Sequence, residues 1–319
     1  MTYETGTGKY ERLLERCASL EAVPTAVVHP CEISALEGAV EAAAKGLVLP
    51  WYVGPAEKIN DLAASKGLEI DASRIVDARH SHESATKAVE LVRLGKAELL
   101  MKGSLHTDEL LSAVVARDAG LRTGRRISHV FIMDVPTYHK VLIITDAAIN
   151  IAPTLEDKVD ICQNAIDLAL SLGVERPKLA ILAAVETVNS KMSATLDAAA
   201  LCKMAERGQI RGAILDGPLA FDNAISKEAA AIKGIVSDVA GDPDILLTPD
   251  LEAGNILAKL LSHLAKSDSA GLVLGARVPI ILTSRSDSVR ARIASCAIGM
   301  LAAYSNRPSV KAAAAPATA

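Results

Sequence analysis

Residues 278–288 read Val278-Pro279-Ile280-Ile281-Leu282-Thr283-Ser284-Arg285-Ser286-Asp287-Ser288. An apolar, β-branched run stops at a hydroxyl, a guanidinium and a carboxylate, and a helical pattern opens at once at Val289. In α/β proteins, ligands bind at the carboxyl ends of strands, where the next helix presents its free N–H groups. Ser284 and Arg285 stand at that place. Arginine forks onto phosphate oxygens better than lysine, because its donors are planar and fixed. The stretch therefore predicts a strand feeding a helix, with a phosphate or acyl-phosphate site at the junction.

The same rhythm extends outward in both directions. β-like runs at 25–28, 47–53, 74–76, 98–101, 130–133, 141–145, 178–184, 212–215, 244–247, 272–274 and 279–283 alternate with helical patterns. The helical segments are 33–44, 56–66, 84–94, 107–116, 156–171, 195–207, 227–233, 251–265 and 289–304. Such alternation means an α/β fold with largely parallel sheet. The runs 130–133 and 141–145 break the pattern, reading as an antiparallel pair and a domain crossing. The tail 311–319 is low in complexity and expected to be disordered.

Composition narrows the class. The chain has 319 residues, enough for two domains. Half of it is hydrophobic but only 3% aromatic, so the core must be built from Ala, Val, Ile and Leu, which suits parallel sheets under Ala-rich helices. The net charge of −4, with Lys and Arg spread along the chain, argues against nucleic acid as a partner. No apolar run approaches the roughly 18 residues of a membrane span. Cys17, Cys31, Cys162, Cys202 and Cys296 are scattered and read as buried free thiols of a reducing cytosol. His80 and His82 read as loop residues, and no metal site is expected.

Several strands end in residues with useful chemistry. Lys102-Gly103 follows 98–101, Thr145-Asp146 closes 141–145, and Asp216-Gly217-Pro218 follows 212–215 as a tight turn. Asp222 and Asn223 lie just beyond, and the carboxylates of Asp216 and Asp222, six residues apart, could serve as acid/base groups, metal ligands or turn caps. Asp250 reads as the cap of a helix with Leu257, Leu260, Leu261 and Leu264 on one face. Glu252, Asn255, Lys259 and His263 occupy the other. Gly254 weakens that helix by up to about 1 kcal/mol, which implies close approach of a ligand or another backbone. The loop Gly120-Leu121-Arg122-Thr123-Gly124-Arg125-Arg126 offers arginines to a polyphosphate, such as a nucleotide-like 3′-phosphate, or to surface ion pairs. Neither a Walker A sequence nor a GxGxxG fingerprint is present.

Taken in order, Lys102-Gly103, the GLRTGR loop, ITDAAIN (144–150), TLDAAALCKMAERGQI (195–210), DGPLAFDNA (216–224), PDLEAGN (249–255) and VLGARVPIILTSRSDS (273–288) resemble the phosphate acetyl/butyryltransferase family. The likeness is nearest its butyryltransferase-like branch. It implies reversible acyl transfer between CoA and phosphate, giving acyl phosphate, with no metal. It also implies two α/β/α sandwich domains with mostly parallel sheets and an interdomain cleft, expected here as 1–146 plus 271–319 and 147–270. A cytoplasmic homodimer without nucleic-acid or membrane partners completes the expectation.

Residue by residue, the resemblance puts Ser284 and Arg285 at the reaction centre. Substrate-binding positions follow as Lys102, Gly103, Arg122, Arg125, Asp216, Gly217, Pro218, Asp222, Asn223, Glu252, Asn255 and Lys259. There is one departure. Acetyltransferases of the family carry an aspartate seven residues beyond the serine as the base on the CoA thiol, and here that position is Ala291. Asp287 is the nearest carboxylate and the candidate replacement. A non-catalytic CoA- or acyl-phosphate-binding protein and a metal-dependent β-decarboxylating dehydrogenase are the alternative readings.

Overall fold

The computed structural model describes residues 8–283 and 287–307. Ser284, Arg285 and the tail 311–319 lie outside the described residues. The chain divides into two compact units, one holding Arg126–Ser269 and the other Gly8–Arg125 with the chain from Ala270 on.

The flanking unit begins with α1 (Lys9–Cys17), β1 (Val23–Val28), α2 (Ile33–Ala44), β2 (Val48–Gly54) and α3 (Ala56–Lys66). It continues with β3 (Ile75–Asp77), α4 (Ser81–Arg93), β4 (Leu99–Lys102) and α5 (Thr107–Val114). The middle unit holds β5 (Ser128–Asp134), β6 (Leu142–Thr145), α6 (Leu155–Ser171), β7 (Lys178–Leu182) and α7 (Ser193–Glu206). It then forms β8 (Ile214–Leu219), α8 (Phe221–Ile225), α9 (Lys227–Ile232), β9 (Ile245–Leu247) and α10 (Leu251–His263). The chain returns to the flanking unit through β10 (Asp268–Leu274), β11 (Ile280–Ile281) and α11 (Val289–Asn306).

In the flanking unit the strand order is β3-β2-β1-β4-β11-β10, parallel except for the β10–β11 pair. β1 has neighbours on both sides and is buried along almost its whole length, which is why its sequence Val23-Pro24-Thr25-Ala26-Val27-Val28 is apolar but for Thr25, whose hydroxyl donates to Val23 O. Small residues bring the helices close. In α2 the buried positions are Leu36, Gly38, Ala39 and Ala42, and α11 is buried nearly all round from Ala291 to Ala303. α1 closes over α11: the Cys17 thiol donates to the Ala297 carbonyl, and the Arg290 guanidinium lies 3.8 Å from the centre of the Tyr10 ring.

In the middle unit the order is β5-β6-β9-β7-β8. β6, β9, β7 and β8 are mutually parallel, while β5 pairs antiparallel with β6, as the broken rhythm predicts. The hairpin packs with residues 126–269 because β6 is hydrogen-bonded to β9, whereas the sequence reading put its strands at the end of the first domain. β6 and β9, each flanked on both sides, are buried throughout. Their residues Leu142, Ile144 and Leu246 join Met133, Ala180 and Leu261 in one core. Both units are thus largely parallel α/β sheets with helices packed on them. Among the described residues, no helix is long and apolar enough to cross a membrane.

Candidate active site

Parallel strands deliver the chemistry to their carboxyl ends. In the flanking unit, Lys102-Gly103 leaves β4 beside the end of β11, since Ile281 is in register with Met101. The segment leading to Ser284 and Arg285 therefore starts at the same strand edge as Lys102. Gly103 is fixed by its surroundings: a Cβ would lie 2.3 Å from the Val28 carbonyl oxygen and 2.6 Å from that of His29. The Gly103 N–H donates to Val28 O at 2.9 Å, and the Ser104 N–H and hydroxyl both donate to His29 O, at 3.0 and 2.8 Å. Ser104 Oγ also accepts from the Cys31 N–H, so the turn after β4 is stapled to the end of β1. His29 has a positive φ of 55° and its Nδ1 pairs with Ser84 Oγ at 3.0 Å. Burial pushes its pKa below the ordinary histidine value.

The arginine loop is built differently. The Thr123 hydroxyl donates to Gly275 O at 2.6 Å and the Arg277 N–H to Leu121 O at 2.9 Å. Residues 275–277 precede β11, so the loop is held at the opposite end of β11 from Lys102. Arg122 and Arg125 are exposed there. Arg126 belongs to the middle unit instead, its Nε donating to Asn150 Oδ1 at 2.8 Å and its N–H to Asp160.

Ser288, not Asp287, caps α11, accepting from the Ala291 N–H at 3.1 Å. Asp287 stands just before that cap, half-buried. Ala291 is 6% exposed. His80 stands in the loop before α4, as read, and caps that helix through Nδ1, whereas the reading of His82 as a loop residue is corrected: it lies in the first turn of α4, 3.3 Å from Glu109.

In the middle unit, the carboxyl ends of β6, β7, β8 and β9 share one edge. Asp146, 2% exposed, accepts from the N–H groups of Ala148, Ile149 and Asn150 and from the Asn150 side chain. Gly254 passes this segment at backbone contact, so its presence in α10 is explained by another backbone. Thr248 donates to Asp146 O and Asn255 to Ala147 O, tying β9 and α10 to the same turn. Asp250 caps α10 as expected, accepting from the Ala253 N–H at 2.9 Å.

Two readings of this region need correction. Leu260 and Leu264 are 47% and 79% exposed; the buried face of α10 is Gly254, Ala258 and Leu261, because small residues set the close contact with the sheet. Asp216-Gly217-Pro218 is no tight turn after a strand. It lies within β8, where Asp216 pairs with Ala180 and Leu219 with Leu182, so the extra residue makes a bulge. β8 is an edge strand, where a proline breaks no ladder. A Cβ on Gly217 would lie 2.7 Å from Ile181 Cβ.

Beyond β8, Asp222 is exposed in the first turn of α8, and Asn223 is fully buried. Asn223 Nδ2 donates to Glu186 Oε2 at 3.3 Å, and Lys233 Nζ donates to the same oxygen at 2.9 Å. Glu186, in the loop after β7, escaped the sequence reading, although its place just past a strand end was the available signal. Glu252 and Lys259 are exposed on α10. Among the described residues, no group of three His, Cys, Asp or Glu side chains is placed to hold a metal ion.

The model of the family described as phosphate acetyl/butaryl transferase matches residues 56–300. A phosphate acetyltransferase of Rhizobium meliloti is 60% identical over 94% of this chain and 95% of its own length. A phosphate butyryltransferase of Clostridium beijerinckii is 39% identical over 93% of this chain and 99% of its own. The crystal structure of a branched-chain phosphotransacylase from Enterococcus faecalis superposes with a TM-score of 0.75 at 29% identity, covering 88% of this chain and 99% of that one.

Proposed function

Because the chain belongs to the phosphate acetyl/butaryl transferase family, we propose how its own residues carry out the family's reaction. It is an acyltransferase that moves an acyl group reversibly between CoA and phosphate. In our reading the group is short, acetyl or butyryl, and passes directly between the two substrates in a ternary complex. What carries this reading is that the motifs from Lys102 to Ser288 all fall inside the matched span 56–300.

A phosphate oxygen attacks the thioester carbon, the C–S bond breaks, and the proton of hydrogen phosphate ends on the thiol. The costly species is the tetrahedral oxyanion. Ser284 donates to it, a contact worth roughly 3–4 kcal/mol. Arg285 holds the phosphoryl oxygens and offsets their charge. Asp287 moves the thiol proton in place of the carboxylate absent at Ala291. A free thiol ionises near ~8.5, so only a few per cent is thiolate at neutral pH without such help.

Lys102, Arg122, Arg125, Asp216, Asp222, Asn223, Glu252 and Lys259 contact substrate, while Gly103, Gly217, Pro218 and Asn255 shape the backbone around it. The tight packing at Gly103 and Gly217 supports that second role. Direct transfer is supported by the cysteines. All five are free, and burial raises each thiol, Cys17 to about 11 and Cys202 and Cys296 to about 12, so none is a ready nucleophile. The working form in this reading is a cytosolic homodimer.

The test is an initial-rate assay of the full chain with acetyl-, propionyl- and butyryl-CoA, following free thiol. Phosphate-dependent release that survives a chelator is expected. No release with any of the three would make the chain a CoA-binding protein, and chelator-sensitive dehydrogenation would make it a dehydrogenase.

A further inference from the structure

The strand order β3-β2-β1-β4-β11 turns round between β1 and β4: from β1 the chain steps outward through β2 and β3, then returns to lay β4 on the other side of β1. Open α/β sheets bind ligands in the crevice beyond the strand carboxyl ends at such a point. His29 is the first residue past β1 and stands there at φ 55°, a left-handed conformation that costs energy in a residue with a Cβ and that clusters at functional sites. β4, which ends at Lys102, lies between β1 and β11. His29 and the Ser284-Arg285 segment therefore leave strands about 10 Å apart, with Lys102 between them.

Hydrogen bonds decide which nitrogen of the His29 ring carries the proton. Ser84 Oγ has one hydrogen and gives it to the His80 carbonyl at 3.0 Å. Its contact with His29 Nδ1, also 3.0 Å, must therefore be Nδ1–H donating to Oγ. Burial first, then the nearby Lys58 ammonium, lowers the pKa of the ring, so the imidazole is neutral at pH ~7. Nε2 is then a bare lone pair. It has no partner among the described residues and, on a half-buried ring, is not closed off from solvent. The Nδ1 bond ties α4 to β1 and accounts for one nitrogen, while the other faces the strand edge with an acceptor to offer.

We propose that His29 Nε2 accepts a hydrogen bond from the P–OH of hydrogen phosphate, with Lys102 and Arg285 taking the anionic oxygens. The assignment rests on the phosphate site proposed above and adds a residue outside both the family-like motifs and the matched span 56–300. It also gives the site a means of choosing its anion. Hydrogen phosphate carries a hydroxyl to donate, whereas sulfate, with the same shape and charge, has none, so the His29 lone pair would face an oxygen lone pair.

The experiment is calorimetric titration of the full chain with inorganic phosphate and with sulfate at fixed ionic strength, which reads the site whether or not the protein turns over. Wild type is expected to bind phosphate about tenfold more tightly than sulfate, the worth of one well-placed hydrogen bond. His29→Phe should lose that factor for phosphate and leave sulfate within about twofold, so the preference disappears. His29→Asn, which accepts the positive φ and keeps an acceptor oxygen, should recover part of it. Ser84→Ala frees the ring and should weaken phosphate in the same direction, with no further loss when combined with His29→Phe, since the serine acts through the histidine. In turnover, His29→Phe should raise KM for phosphate and leave KM for acyl-CoA within about twofold. Unchanged phosphate affinity in both His29 variants, equal losses for phosphate and sulfate, or a rise in KM confined to acyl-CoA would each overturn the assignment. Selective phosphate binding by a chain that transfers no acyl group would sink the proposed reaction and leave this contact standing.

Discussion

Gly254 lies so near Asp146 that a Cβ on the glycine would sit 2.4 Å from the Asp146 carbonyl oxygen and 2.7 Å from Thr248 Oγ1. Neither atom can yield cheaply, one being backbone and the other held by three carbonyl contacts. Gly254→Ala should therefore cost about 1–3 kcal/mol by overpacking. Gly124→Ala, where nothing lies within 4 Å, should stay within about 0.5 kcal/mol. Urea unfolding of the two variants checks the contrast.

Asp242 controls the acid limb of stability. Partial burial works against its charge, but hydrogen bonds from Lys178, Lys140 and His139 outweigh that and hold its carboxyl well below the usual range. A folded pKa below the unfolded one stabilises the protein above the unfolded pKa of about 4. That contribution is lost as the pH falls further, toward the folded value. Asp242→Asn should cost about 2 kcal/mol at neutral pH and flatten the acid limb, which melting curves between neutral and acid pH will show.

Arg285→Ala should raise KM for phosphate sharply and lower turnover, a loss of about 2–3 kcal/mol, and Arg285→Lys should restore only part. Ser284→Ala should instead lower kcat far more than it changes CoA affinity, as befits a transition-state donor. Steady-state kinetics separate the two; wild-type phosphate kinetics in Arg285→Ala would remove that residue from the site.

Asp287→Asn tests the proton carrier. Since Ser288 makes the cap of α11, the substitution leaves that cap intact. If Asp287 takes the thiol proton, acylation of CoA should slow strongly at pH ~7 and much less above about pH 9, where the thiol ionises unaided. A pH–rate profile parallel to wild type would assign the proton transfer elsewhere.

The sequence carried the strand–helix alternation well where burial was continuous. α2 and α3 end at the residues their patterns predict, and β1 and β6 announce themselves as runs that are apolar apart from one threonine each. α1 was missed because only Cys17 is buried in an otherwise polar segment. On α10, counting leucines misplaced the buried face, since the sheet is approached through Gly254 and Ala258 rather than Leu260 and Leu264. Asp216-Gly217-Pro218 looked like a turn because a bulge in an edge strand uses the same residues. The motifs named Asn223 but not Glu186, whose hydrogen bonds to Asn223 and Lys233 join residues far apart in the chain and leave no local pattern.

The central claim is direct acyl transfer from CoA to phosphate. The most direct measurement incubates the purified full chain with acetyl-CoA or butyryl-CoA and phosphate, quantifies free CoA, and traps acyl phosphate with hydroxylamine at early times. Equimolar CoA and trapped acyl phosphate, both absent without phosphate, are the predicted result. Thiol release without acyl phosphate, or no release with either thioester, would contradict it.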